Sequence, residues 1–204
     1  MSQHEDGRAL HEACVEAGVA YAGDFLKVRR DRVRLPDGRL AQREYIVHPG
    51  AVMVVPLLDD GRFVLERQFR YPLGRVMIEF PAGKLDPGES GLRCAMRELR
   101  EETGYMAREW ARAGVLHNAI AYSTEGIEVW FARGLTPGAA SLDEGEFVDV
   151  FAAAPQELDA WVRSGEVTDA KTLIGLLWWQ HWQCGRWCPD WLPVDDTNQA
   201  SSPP

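Results

Sequence analysis

The sequence predicts an α+β fold in which a mixed β-sheet is sandwiched between helices. Strand-like patterns lie on both sides of one amphipathic segment that has helical spacing. That segment follows a turn and ends at a glycine, which are the signals expected at the two ends of a helix. A second, strongly apolar helical segment follows the last predicted strand. Helices are therefore available to cover a sheet.

The composition is that of an ordinary globular domain. The 204 residues are 46% hydrophobic and 26% charged, so we predict one domain with a sizeable core and extra terminal elements. The net charge of −9 argues against general nucleic-acid binding, because an acidic surface repels phosphates. The start MSQHEDGRAL does not resemble a signal peptide, and no apolar run reaches membrane-spanning length. We therefore expect a cytoplasmic protein with no membrane partner.

Turns and strand patterns fill the first part of the chain. Residues 1–23 are expected to be helical and then loop. The turn at 35–39 joins two segments into a hairpin, of which the first alternates apolar and basic residues. The turn at 59–61 follows a continuous apolar run that is typical of a buried strand. The predicted strands are 25–34, 40–48, 51–58, 62–67 and 76–80.

The second half of the chain combines short strands with two helices. Pro155 is placed to begin the first helix, and Thr168 or Asp169 is placed to cap the second. The tail DDTNQASSPP, which begins at Asp195, is expected to be disordered. The predicted elements are strands at 115–117, 127–132 and 146–152, and helices at 155–164 and 170–182.

Residues 83–105, GKLDPGESGLRCAMRELREETGY, form the amphipathic segment. The Asp-Pro-Gly run at 86–88 predicts a turn, Ser90 or Glu89 then opens a helix, and Gly104 fits a left-handed C-terminal cap. An apolar stripe lies on one helix face and the acids on another, so the helix can pack on a core and present its acids to a cleft. The stripe consists of Leu92, Ala95, Met96 and Leu99.

The acids of this helix, Glu98, Glu101 and Glu102, share a face and repel one another. One interpretation is an ordinary solvated surface, in which Arg97 and Glu101 form an ion pair four residues apart. The other is a site for a divalent cation that prefers oxygen ligands, Mg²⁺ or Mn²⁺.

The whole segment resembles the Nudix box, G-x5-E-x7-R-E-U-x-E-E-x-G-U, where U is apolar or aromatic. The resemblance implies the Nudix fold and a metal held by Glu98 and Glu102, with Glu101 assisting and the backbone carbonyl of Ala82 as a further ligand. The arginine of the box would orient a carboxylate, while its first glycine and first glutamate would support the loop. A metal ligand is the alternative role for that glutamate. The matching positions are Gly83, Glu89, Arg97, Glu98, Leu99, Glu101, Glu102, Gly104 and Tyr105.

The flanking stretches ERQFRYPLGRVMIEFPAGKLDPGE and SGEVTDAKTLIGLLWW are similar to the ADP-ribose pyrophosphatase branch of that family. The resemblance covers roughly residues 25–182. It implies a homodimer in which the N-terminal hairpin crosses to the partner subunit. It also implies that Arg43, Glu44 and Arg70 help to hold the nucleotide. The alternative for Arg43 and Glu44 is an exposed cross-strand pair.

The resemblance also implies a division of the chain into three parts. Residues 1–48 would be an N-terminal extension with the dimerisation hairpin, residues 49–183 the Nudix hydrolase domain, and residues 184–204 a C-terminal tail that is partly disordered. Many members of the branch carry a Ser-Pro-Gly-like turn beyond the box, and this sequence has HNAIAYSTEG there instead. That departure leaves the substrate open. Glu125 in this stretch is a candidate to face the site or a surface residue.

The implied reaction is the Mg²⁺-dependent hydrolysis of ADP-ribose to AMP and ribose 5-phosphate. Metal ions neutralise the diphosphate and lower the pKa of a bound water. A carboxylate beyond the box is expected to act as general base, with Glu146 favoured and Glu144 as the alternative. An ordinary solvated acidic loop is a further interpretation of that stretch. Alternative functions are hydrolysis of a GDP-sugar or NADH, and a non-catalytic module that senses a nucleotide.

The four cysteines, Cys14, Cys94, Cys184 and Cys188, are few and unevenly spread. In a reducing compartment they are most simply free thiols. The last two could instead form half of a zinc site, although no second pair is nearby in the sequence.

Overall fold

A computed structural model describes residues 8–194 of the chain. Its contacts divide the chain into two compact units, Met1–Pro49 with Ala119–Glu125, and Gly50–Asn118 with Gly126–Pro204. The tail from Asp195, predicted to be disordered, lies outside the described residues. In the part that is described, no helix is long and apolar enough to span a membrane.

The smaller unit is an antiparallel sheet that contains the predicted hairpin. The strands of its described part are β1 (Ala13–Glu16), β2 (Val19–Ala22), β3 (Lys27–Arg34) and β4 (Leu40–Val47). β4 pairs with β3 along its whole length. β1 pairs with the C-terminal end of β3 and β2 with its N-terminal end. The predicted N-terminal hairpin is therefore confirmed.

The helix expected within residues 1–23 is wrong for the described part of that segment. A short 3₁₀ turn, Arg8–Leu10, is followed by β1 and β2. The alanine-rich sequence favours a helix locally, but pairing with the free edge of β3 prevails. Gly18 between the two strands donates its N–H to Asp31 Oδ1 at 3.0 Å. A Cβ at that position would lie 2.7 Å from the Arg30 carbonyl oxygen, so the close approach requires glycine.

The larger unit contains two sheets within residues 50–118 and 126–194. Its strands are β5 (Ala51–Pro56), β6 (Phe63–Arg70), β7 (Arg75–Glu79), β8 (Ala82–Lys84), β9 (Tyr105–Leu116), β10 (Ile127–Pro137), β11 (Val148–Ala153) and β12 (Leu192–Pro193). The five-stranded sheet has the order β12-β9-β10-β5-β8, and the three-stranded sheet has the order β11-β6-β7. β5 and β10 run parallel, whereas the other neighbours are antiparallel, so the larger sheet is mixed.

Helices cover both faces of the mixed sheet. The helices of the described chain are α1 (Gly91–Thr103), α2 (Pro155–Ser164) and α3 (Ala170–Gln183). Alternate residues of β5 point to opposite faces. Val52 and Val54 share a buried cluster with Leu99 of α1. Met53 belongs to a second cluster, which contains Leu176 of α3. The predicted α+β sandwich is thereby confirmed.

Strand β9 is much longer than the segment predicted at 115–117. Its sequence YMAREWARAGVL mixes charged and small residues and has no clear two-residue alternation. The strand forms because β10 pairs with it along nearly its full length. Ion pairs between Arg133 and Glu109 and between Arg112 and Glu128 join the two strands. This pairing is not visible in a local pattern.

The segment that follows α3 packs on aromatic side chains of β10 and α3 in the same unit. The ring of Trp187 lies 5.2 Å from that of Phe131 and 5.2 Å from that of Trp178. Trp191 contacts Trp182, and the Arg133 guanidinium stacks on the Trp191 ring at 4.0 Å. Aromatic burial thus fixes residues that follow the last helix.

Candidate active site

Helix α1 places the acidic cluster of the sequence at fixed positions. Ser90 is its N-cap and accepts a hydrogen bond from the Arg93 N–H, while Gly104 adopts a left-handed conformation at the C-terminal end. Cys94, Ala95 and Leu99 are fully buried against the mixed sheet. Leu92 and Met96 of the predicted stripe are partly buried against the same cluster. The helix therefore cannot rotate without exposing its apolar face.

Two glutamates of α1 lie against the backbone of β8. The Ala82 N–H donates a hydrogen bond to Glu102 Oε2 at 2.9 Å. A Cβ added to Gly83 would overlap the carboxyl group of Glu98. Glycine is therefore required at that position for the Glu98 carboxylate to occupy its place. The structure brings together Ala82, Gly83, Glu98 and Glu102.

Arg97 links the acids of this segment. Its Nε and Nη2 donate to the two oxygens of Glu89 at 3.0 and 2.9 Å. Its Nη1 donates to Glu98 Oε1 at 2.7 Å and to Glu101 Oε2 at 3.0 Å. The Lys84 carbonyl accepts a further hydrogen bond from Nη2. The predicted Arg97–Glu101 ion pair is thus one part of a larger network that holds three carboxylates in fixed orientations.

Burial alters the protonation of the site glutamates. Burial raises the pKa of Glu98 to about 7, although the Arg97 charge acts in the opposite direction. Burial also raises the pKa of Glu102 well above its ordinary value, and the nearby charges of Glu66, Glu98 and Glu146 add to the effect. Carboxylates in such surroundings are stabilised by a cation or by a proton.

Glu66 is a site residue that our reading of the sequence missed. It lies on β6, is 0% exposed, and has no hydrogen-bond partner for either carboxylate oxygen among residues 8–194. Burial raises its pKa to about 8, and the neighbouring Glu79 adds to the effect. The signal was a glutamate at the end of the apolar run FVL in a strand. An acid at such a position points into the core, and burying its charge is costly unless a bound partner or a function compensates.

Arg70 and Glu79 form an ion pair, of which the sequence analysis singled out only Arg70. Arg70 Nε and Nη2 donate to the two oxygens of Glu79 at 2.7 and 2.8 Å, and Lys171 of α3 also binds Glu79. Burial raises the pKa of Glu79, but the hydrogen bonds from Arg70 and the charge of Lys171 outweigh it and lower the net value. Arg70, predicted to bind the nucleotide, is thus held by a buried carboxylate that the sequence analysis did not single out.

The two candidate bases differ in their surroundings. Glu146 is half-buried, and its Oε1 accepts a hydrogen bond from Gln68 Nε2 at 3.2 Å. Its charge contributes to the raised pKa values of Glu98 and Glu102, which places it near the acids of α1. Glu144 is exposed. Of the two candidates, Glu146 is thus the one that lies near the acids of α1.

Arg43, Glu44 and Glu125 belong to the smaller unit. Arg43 binds Glu12 through Nε at 2.9 Å, and Glu44 pairs with Arg30 on the neighbouring strand at 2.6 Å. Glu125 lies 3.4 Å from His48 Nε2. The exposed cross-strand pairing considered for this segment is present at Glu44.

The donors of the acidic cluster are of the type that holds a hard divalent cation. In residues 8–194 no three His, Cys, Asp or Glu side chains are gathered into a metal-binding group as they stand. One oxygen of Glu98 is turned to Arg97, and one of Glu102 is turned to the Ala82 N–H. The unpartnered oxygens of Glu66 and the close backbone at Gly83 nevertheless fit an oxygen-coordinated ion. Cys184 and Cys188 are exposed free thiols.

Comparison of the sequence with known proteins finds two matching family models and relatives that align over most of the chain. Residues 47–174 match the family model described as NUDIX domain, and residues 19–46 match the model described as nucleoside diphosphate sugar hydrolase N-terminal domain. The chain is 35% identical over 175 residues to the ADP-ribose pyrophosphatase of Bacillus subtilis, an alignment that covers 85% of this chain and 95% of the relative.

Two further similarities extend this result. The chain is 34% identical over 176 residues to the methanol dehydrogenase activator of Bacillus methanolicus, covering 85% of this chain and 95% of the relative. A crystal structure of an ADP compounds hydrolase superposes with a TM-score of 0.77 at 23% identity, covering 86% of this chain and 95% of that chain. The structural likeness supports the fold.

Proposed function

The chain belongs to the Nudix family, and we propose that it is a pyrophosphohydrolase that cleaves the diphosphate of ADP-ribose with a divalent cation, Mg²⁺ being the expected ion. The observation that carries the proposal is the position of two carboxylates of α1, those of the half-buried Glu98 and the buried Glu102, beside the Ala82–Gly83 backbone. The relationship to an ADP-ribose pyrophosphatase, over 85% of this chain and 95% of the relative, supports the substrate.

The reaction adds water to one phosphorus and breaks the bond from that phosphorus to the bridging oxygen, which gives AMP and ribose 5-phosphate. A bound divalent cation supplies neutralising charge and lowers the pKa of a coordinated water. Glu98, Glu101, Glu102 and the Ala82 carbonyl are the proposed ligands. Arg97 fixes the orientation of Glu98 and Glu101, and Glu89 in turn holds the guanidinium.

Glu146 is the proposed general base, with Glu144 as the alternative. Glu146 is held by Gln68 near the acids of α1, whereas Glu144 is exposed. A base must lie within hydrogen-bond reach of the attacking water. Arg70 is proposed to bind the diphosphate while Glu79 fixes its guanidinium. Arg43 and Glu44 stay predictions for nucleotide binding.

A sugar nucleotide other than ADP-ribose is the second candidate substrate. The match of residues 19–46 to a nucleoside diphosphate sugar hydrolase N-terminal domain favours it. A panel of ADP-ribose, GDP-mannose and NADH, with phosphate release measured after phosphatase coupling, distinguishes the candidates. We expect the highest kcat/KM with ADP-ribose. Much faster cleavage of GDP-mannose or NADH would refute the proposed substrate.

The metal assignment is tested with Glu102→Gln at saturating Mg²⁺. The variant keeps the size of the side chain and removes its charge, so we expect a loss of activity of roughly 100-fold or more. Activity near that of the unmodified protein would reject the assignment. A silent nucleotide-sensing module would be revealed by ADP-ribose binding without turnover in the unmodified protein.

We also propose that residues 1–48 act as a dimerisation extension of a Nudix hydrolase domain at 49–183, followed by the tail at 184–204. Exposed apolar side chains on β2, Val19 and Tyr21, support an interface in the extension. A cytoplasmic location is proposed from the four free cysteines. Expression of a tagged copy with cell fractionation would test the location.

A further inference from the structure

Glu66 carries a buried carboxylate that the ion pairs of the site leave unsatisfied. Its side chain is 0% exposed, and within the described range, 8–194, neither oxygen has a hydrogen-bond partner. A buried charge without a partner opposes folding, and strands rarely retain one unless it is used. The residue therefore needs a cationic or a protonic partner that the protein's own side chains do not supply.

The geometry of β6 directs this carboxylate toward the acidic cluster. Alternation along the strand places Glu66, Gln68 and Arg70 on one face. Gln68 binds Glu146, and Arg70 binds Glu79. Glu79 lies directly opposite Glu66 in the pairing of β6 with β7. The charge of Glu66 also contributes to the raised pKa of Glu102 on α1. Glu66 thus faces the same space as the proposed metal ligands.

The nearby cations are already engaged by another acid. Arg70 gives two hydrogen bonds to Glu79, and Lys171 binds Glu79 and lies 3.1 Å from Asp169. On α1, Arg97 is shared among Glu89, Glu98 and Glu101. The space between β6 and α1 is therefore rich in carboxylate oxygens, and within residues 8–194 both oxygens of Glu66 are buried there without a hydrogen bond.

We propose that Glu66 is a further ligand of the divalent cation, so that carboxylates from β6 as well as from α1 hold the metal. The inference rests on the proposed function, because it assumes that the acids of α1 bind a metal. Ions such as Mg²⁺ and Mn²⁺ favour carboxylate oxygens. Glu66 offers two oxygens that need no existing hydrogen bond to be broken, whereas Glu98 and Glu102 each have one oxygen engaged.

Binding of Mn²⁺ alone tests the proposal without reference to activity. Electron paramagnetic resonance of free Mn²⁺ and isothermal titration calorimetry give the number of ions and their affinity. We compare the unmodified protein with Glu66→Gln and with the control Glu109→Gln, which removes an acid that pairs with Arg133 on β10. We expect Glu66→Gln to lose one ion per chain or to bind Mn²⁺ roughly 10- to 100-fold more weakly. The control should match the unmodified protein. Equal stoichiometry and affinity in Glu66→Gln would overturn the proposal.

Thermal unfolding separates a ligand from a merely structural residue. Without metal, Glu66→Gln should unfold at the same temperature as the unmodified protein or higher, because a buried charge is removed. With Mn²⁺, the unmodified protein should gain more in Tm than the variant does. Equal gains would contradict a ligand role. If Glu66→Gln fails to fold, Glu66→Val, which suits a buried strand, gives the same comparison.

The two proposals fail in different ways. If the unmodified protein binds no Mn²⁺, the proposed metal-dependent hydrolysis fails together with the role of Glu66. If Glu102→Gln weakens Mn²⁺ binding and Glu66→Gln does not, the proposed function stands and only the role of Glu66 is refuted.

Discussion

Gly83 shows how a residue without a side chain shapes the acidic cluster. A Cβ at this position would overlap the Glu98 carboxyl group, so Gly83→Ala should displace that carboxylate. A shift of about 1 Å at a reacting site can cost on the order of 100-fold in rate. We therefore expect kcat/KM to fall by roughly that factor while the fold is retained. Steady-state assays with far-ultraviolet circular dichroism would measure both.

Gly114→Ala is the matched control for this substitution. A Cβ on Gly114 would meet only the Trp178 ring, at an ordinary contact distance of 3.8 Å. The control should keep the activity of the unmodified protein. Equal activity of the two alanine variants would contradict the role given to Gly83.

The candidate base makes a second prediction for single residues. Glu146→Gln keeps the shape of a side chain that Gln68 holds near α1, but it cannot accept a proton. We expect kcat to fall by roughly 100- to 10,000-fold, as is typical when a general base is lost. Glu144→Gln, at an exposed position in the same loop, should retain full kcat. The reverse pattern would make Glu144 the base.

Residues of the acidic helix could be predicted from the sequence, and those of β6 and β7 could not. Glu98 and Glu102 lie a fixed helical spacing apart, so local periodicity already places them together. Glu66 and Glu79 come from different strands, and they lie opposite each other only because of the register of β6 with β7. Register is set by pairing between distant segments, which a local pattern does not contain.

For whole helices and strands, too, features set by local sequence could be predicted, and features set by pairing of distant segments could not. Helix α1 was predicted with its N-cap and its glycine C-cap, because these signals are local. β9 is predicted only at 115–117, and β1 and β2 are not predicted, since each forms by pairing with the edge of another strand. In α3, Gly175 permits close packing on the sheet, because an added Cβ would lie 2.9 Å from Val55 Cγ2. The apolar pattern alone does not show that approach.

The ionisation of Asp31 on β3 should make the stability of the smaller unit depend on pH. The hydrogen bond from Tyr45, followed by that from the Gly18 N–H, lowers the pKa of Asp31 below its ordinary value. A lowered pKa in the folded state adds stability above the unfolded pKa, about 4, and this stability is lost as the pH falls through the folded value. Asp31→Asn should therefore be less stable than the unmodified protein at pH 7, with a difference that shrinks below about pH 4.

Urea denaturation across pH, followed by circular dichroism, measures this difference. Tyr45→Phe removes the largest cause of the shift and should reduce the acid-dependent part of the stability. A stability difference between Asp31→Asn and the unmodified protein that is constant from pH 3 to pH 7 would contradict the assignment.

At the scale of the whole molecule, the surface of the N-terminal extension indicates assembly. Val19 and Tyr21 both lie on β2, and they are 67% and 58% exposed. Large apolar side chains that are exposed together on one strand are a typical interaction surface. We expect light scattering after size exclusion to give twice the 22.9 kDa mass of one chain.

Charges placed on this strand should separate the subunits. The double variant Val19→Asp and Tyr21→Asp would bring two buried charges from each subunit into a dimer interface, which is strongly unfavourable. We expect a mass of one chain for it, whereas Leu177→Asp, at a 44% exposed position on α3, should stay dimeric. A monomeric unmodified protein would refute the dimer. A dimeric double variant would place the interface outside β2, and the predicted role of Arg43 and Glu44 across subunits would lose its support.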